Sequence, residues 1–161
     1  MFNRWIIVPF LSFFIVTGWA ESVDERAALS VWVNEAIVAT YTFDFNDTLA
    51  QQKQISHYFT SKGWIAFKKA LSDSKLIENV KKNEYRVTAV ATKPPEIKKK
   101  GTLGWQAVMP VLVFYQNPQY KQKQHLEITL DFNTAPSGQG VRGFAIDSFI
   151  SKITKPACKC P

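Results

Sequence analysis

The chain has 161 residues, of which 46% are apolar and 20% charged. That supports one domain with a proper core, is too short for two comfortable ones, and excludes wholesale disorder. The formal charge of +7 favours anionic partners. The lysines at 81–82 and 98–100 nevertheless lack the interleaved aromatics of a nucleic-acid surface, so nucleic acid is not an expected partner.

Residues 1–20 read as a leader. One charge, Arg4, precedes an apolar run from Trp5 to Ala20, and Gly18 and Ala20 stand where a signal peptidase reads small side chains. Cleavage is expected between Ala20 and Glu21. The mature chain would then lie outside the cytoplasm. The alternative is an uncleaved inner-membrane anchor, for which a run of 16 residues is short: a span needs roughly 20.

Ser22 and Glu25 form a capping box, which predicts a first helix from about Val23 to Thr42. Ala28, Val31, Trp32, Ala36 and Ala39 are its expected inward face, with Phe43 just beyond. A shorter helix over 49–59 would bury Leu49, Ile55 and Phe59. Thr60 can cap a third, with Trp64, Phe67 and Leu71 on one face. Residues 75–83 add a turn or two.

From residue 84 the apolar period changes from 3.6 to 2. Strands are expected at 84–92, 105–116, 121–132 and 141–150, with 93–104 a lysine-rich loop. Strand 105–116 is apolar on both faces, which suits a covered, central position, although Pro110 within it suits an edge. Leu126, Ile128, Leu130 and Phe132 should face the core, as should Phe144, Ile146 and Ile150. The domain is expected to span 21–151 and to end in a loose tail, 152–161, that carries Cys158 and Cys160. The layout is α+β: helices first, then about four antiparallel strands with the helices on one face.

Chemistry is sparse. His57 and His125 have no nucleophile turn nearby, and no metal, phosphate-loop or dinucleotide motif is present. No catalytic, cofactor-binding or metal-binding residue is expected. On a cone of helices and curved sheet, an acid after the first helix can serve as a general base at a pocket mouth. Asp44 and Asp47 occupy roughly that place, and Tyr41, Phe43, Asp44 and Tyr58 are the candidate cavity lining. The competing reading makes Asp47 a helix cap and Asp44 a turn residue.

Four segments carry a resemblance: "WVNEAIVATYTFDF" (32–45), "YFTSKGWIAF" (58–67), "VTAVATKPP" (87–95) and "WQAVMPVLVFYQ" (105–116). Together with Arg142–Gly143 they resemble, in order and spacing, the periplasmic domain of the IcmL/DotI family of the type IVB (Dot/Icm) secretion apparatus, which is also similar to a conjugation protein. The resemblance implies a cystatin-like, nuclear-transport-factor-2-like cone and no enzymatic residues. It also implies partners among the other envelope proteins of a secretion apparatus, with self-association a further option and the inner membrane involved only if the leader stays uncleaved. The alternative is a small-molecule binder or isomerase-like protein that uses the cone cavity.

Overall fold

The computed structural model describes residues 23–159, so the leader and its expected cleavage point at Ala20–Glu21 lie outside the described residues, as does Ser22 of the capping box. Four helices come first: α1 (Val23–Thr40), α2 (Thr48–Ser56), α3 (Ser61–Asp73) and α4 (Leu76–Lys82). A two-residue strand, β1 (Phe43–Asp44), lies between α1 and α2. Then follow β2 (Arg86–Ala91), β3 (Glu96–Lys100), β4 (Gly104–Asn117), β5 (Tyr120–Thr134) and β6 (Phe144–Lys159). Neighbouring strands are antiparallel, in the order β1-β2-β4-β5-β6, with β3 also on β4.

The sheet therefore has six strands rather than about four. The lysine stretch that reads as a loop contains β3. Its pattern is nearly all polar, so periodicity cannot find it, but it pairs along Gly104–Val108 of β4 and packs Ile97 against the core. β2 covers the next part of the same β4 edge, from Val111 to Gln116, and the chain crosses between the two beside Pro110. That crossing accommodates the proline. The Pro110 carbonyl accepts from both the N–H (3.0 Å) and the hydroxyl (3.1 Å) of Thr92. Its missing N–H thus faces the crossover, and the ladder with β5 loses nothing.

One sheet face builds the core. Trp105, Ala107, Met109, Val111, Val113 and Tyr115 of β4 alternate inward, next to Leu126, Ile128, Leu130 and Phe132 of β5. α1 lies against them with Leu29, Trp32, Val33, Ala36, Ile37 and Thr40 buried. This stripe differs from the expected one: Ala28 and Val31 face solvent, Val31 at 51%. Apolar residues occur on every side of α1, so hydrophobicity alone does not choose the face; the aromatic fit does. The Trp32 ring lies 4.9 Å from Phe132 and 5.6 Å from Phe144, and its indole N–H donates to the Val141 carbonyl at 2.8 Å.

α2 also differs in its buried side. Leu49 is 79% exposed, while Gln51 is buried and donates to the carbonyls of Ala39 (3.0 Å) and Thr40 (3.2 Å), partnering the orphan end of α1. α3 is as expected. The Thr60 hydroxyl accepts from the Gly63 N–H at 3.1 Å, and Trp64, Phe67 and Leu71 are half-buried on one side.

β6 brings two corrections. It runs on to Lys159, paired with β5 as far as Lys159–Gln122, where a loose tail was expected. Backbone pairing needs no apolar pattern, and the polar sequence after Ser151 hides it. In addition, Ile150 faces outward and Phe149 inward. The register shifts where Asp131 opposes Ser148 and Phe132 opposes Ile146; this bulge reverses the alternation that would have put Ile150 in the core.

Candidate functional site

A groove of about 620 Å³ opens on the helix-bearing face, between α3–α4 and strands β4–β6. Phe67, Leu71 and Leu76 line it from the helices, and Tyr115, Leu126, Phe149 and Ile153 from the sheet. Aromatic packing sets its wall: Phe149 lies 5.3 Å from Phe67 edge to face and 6.1 Å from Phe59, and Phe67 stacks on Trp64 at 5.7 Å. Tyr41, at the end of α1, reaches across to the Ser151 hydroxyl at 2.5 Å.

The groove's titratable groups are poor bases. Burial pushes the Tyr41 phenol up, only partly offset by the Ser151 hydrogen bond. Burial pushes Tyr115 well above the usual tyrosine range, and the neighbouring Tyr41 adds to the shift. Both are phenols at neutral pH, able to donate a hydrogen bond and not to abstract a proton.

The four candidate lining residues divide among different places. Tyr41 lines the groove and, with Phe43, a small cavity of about 30 Å³ beneath it, room for about one water. Asp44 sits in β1 at the sheet edge. Its carboxylate accepts from the Asn46 N–H (3.1 Å) and from Arg86 Nε (3.4 Å). Tyr58 lies on the Glu35–Arg142 side, where burial and then the Glu35 charge raise its pKa while Arg142 lowers it. Asp47 occupies the position before α2 but makes no side-chain cap; its carbonyl accepts from the Gln51 N–H instead. His57 is exposed at the end of α2, and among the described residues no His, Cys, Asp and Glu gather as a metal site.

Sequence reasoning missed the groove because its walls are far apart in the chain. Ser151 and Phe149 belong to the strand whose bulge reverses the expected alternation, and Tyr115 reads as an ordinary inward residue of β4. The Arg142–Gly143 pair is legible in the sequence. Both residues have positive φ, 50° and 79°, in the turn before β6, and Arg142 bonds Glu35 of α1 at 2.8 Å.

Helices laid on one face of an antiparallel sheet, with β6 as a long outer strand, define a known class of domain. A periplasmic fragment of TraM has this fold (18% identity, TM-score 0.71, 80% of this chain and 98% of that one). So does CagV, a VirB8 homolog from Helicobacter pylori (11% identity, TM-score 0.65, 80% of this chain and 99% of that one). Likeness at that level concerns the fold. Residues 12–153 match the family model described as a type IVB secretion system inner-membrane complex component, DotI/IcmL, and the chain belongs to that family. An IcmL-like type IV secretion system protein from Legionella pneumophila is 55% identical (TM-score 0.79, 84% of this chain and 97% of that one). The periplasmic domain of DotI is 29% identical (TM-score 0.77, 84% of this chain and all of that one). Among curated protein sequences none matches. No helix among the described residues is long and apolar enough to cross a membrane.

Proposed function

We propose that this chain is a non-enzymatic, periplasmic component or accessory of a type IVB secretion apparatus, acting through contacts with other envelope proteins. The observation that carries the reading is the 55% identity to an IcmL-like secretion protein over 84% of the chain. The likeness to the periplasmic domain of DotI supports the compartment, and cleavage between Ala20 and Glu21 is the proposed route to it. The groove supports a binding role over a reacting one, because its tyrosines stay protonated and Asp44 is held by Arg86 away from it.

Two measurements test this. Osmotic shock of the bacterium that makes the protein should release a species whose intact mass begins at Glu21. Deletion of the gene should reduce translocation of a reporter-fused substrate, and a plasmid copy should restore it. Full translocation without the gene contradicts a place in the apparatus. A mass that retains Met1, in washed membranes, replaces the diffusible form with the anchored one.

A small-molecule reading keeps one observation, since the groove falls within the usual volume of ligand pockets, roughly 300–1,000 Å³. Its isomerase form loses support, because Asp44 is not in the groove.

A further inference from the structure

We propose that the outer edge of β6 over residues 149–155, with the groove beside it, receives an extended segment of a partner protein as an added strand, and that this segment alternates apolar and acidic side chains. The proposal deepens the assembly reading above and rests on it, naming the chemistry of one contact.

Three observations carry it. The first is the unpaired backbone. β6 ends the sheet, and besides β5 the described residues pair with it only at two isolated bridges near its start, Val141 at Phe144 and Phe59 at Ile146. There the Thr60 N–H donates to the Ile146 carbonyl at 3.0 Å and the Ile146 N–H donates to Tyr58 at 2.8 Å. Gly63 lets the start of α3 close on the same spot. No described strand continues this cover along the rest of β6. An open edge presents N–H and C=O groups that another strand can pair.

Apolar seats are the second. Phe149 and Ile153 line the groove from the edge strand, facing Phe67 and Leu71 of α3, and Ile153 is 59% exposed. A strand added to β6 would lay every second side chain toward this groove. That is how strand-addition sites combine main-chain affinity with side-chain selection.

Charge is the third, and it selects the occupant. Residues 148–159 contain Lys152, Lys155 and Lys159 and no acid. Lys152 and Lys155 are exposed. Two copies paired through this edge about a two-fold axis would bring lysines against lysines, which costs stability, whereas an acidic strand gains from the same row. Pro156 has no N–H to offer, so the pairing register ends near Lys155.

The test uses the full chain and two short synthetic peptides, one alternating Glu with Val or Leu and one alternating Lys with the same residues. Hydrogen exchange followed by mass spectrometry locates binding. The acidic peptide should slow exchange within 149–155, and more weakly as salt rises. The double variant Lys152→Glu/Lys155→Glu, with both changes on exposed side chains and its fold verified by melting, should lose at least about tenfold in affinity for the acidic peptide and gain affinity for the basic one. Equal response to both peptides, protection confined to other segments, or self-pairing that slows exchange at 149–155 without peptide each overturns the proposal. Affinity isolation from the envelope separates the two readings. If the double variant recovers the same secretion proteins as the unaltered chain, the edge is wrong and the assembly reading stands.

Discussion

A Cβ on residue 63 would overlap the Ile146 carbonyl oxygen, a backbone atom that cannot swing aside. Gly63→Ala should therefore lift α3 from β6 and cost roughly 1–3 kcal/mol, read as a lower urea midpoint; an unchanged midpoint would show that the contact yields freely. Trp32 and Trp64 should differ. Trp32 is 1% exposed, and its N–H is bonded, so Trp32→Ala is expected to cost about 3–5 kcal/mol. Trp64 is only half-buried beside Phe59 and Phe67 and should cost clearly less. Tyr41 and Tyr115 set an alkaline limit. Their folded pKa values lie above the ordinary value of 10.0, so above pH 10 the unfolded chain gives up protons that the folded chain keeps. Stability from these two groups is complete below pH 10 and falls as pH rises beyond it. Tyr41→Phe/Tyr115→Phe should flatten that alkaline slope in melting scans, and an unaltered slope would assign it to other groups.

Among the elements, the most legible were those whose local chemistry agrees with the tertiary structure. Thr60 caps α3 as its position predicts, and β5 alternates from Leu126 to Phe132 without interruption. Less legible elements are decided by distant partners. β3 is a strand because half the β4 edge needs cover, not because "EIKKK" favours one. The α1 face follows from the fit of Trp32 between Phe132 and Phe144, and the inward side of β6 from a bulge no residue type announces. The groove inherits both difficulties, since Phe149, Ile150, Ser151 and Ile153 of its wall lie beyond the β6 bulge. Residues 152–159 are accordingly structural. Beyond Ser151 the pairs Lys152–Glu127, Ile153–Leu126, Lys155–His125, Cys158–Lys123 and Lys159–Gln122 hold β5. Deleting 152–161 should lower stability by on the order of 1–3 kcal/mol. A truncated chain that melts like the intact one would restore the loose tail.

For the whole molecule, the fold places its unfilled features together: an apolar groove, an open strand edge and a row of lysines on one side of the sheet's end. Gathered protonated tyrosines and exposed isoleucines suit a surface that docks, and the family to which the chain belongs consists of components of a secretion machine. On the proposed function, the chain works by holding other envelope proteins. The most direct measurement is crosslinked affinity isolation of the tagged chain from intact cells, followed by mass spectrometry of what it carries. Type IVB envelope proteins should be recovered, in amounts that fall when the contact surface is altered. Recovery of the chain alone, from cells with an assembled and active apparatus, would contradict the claim.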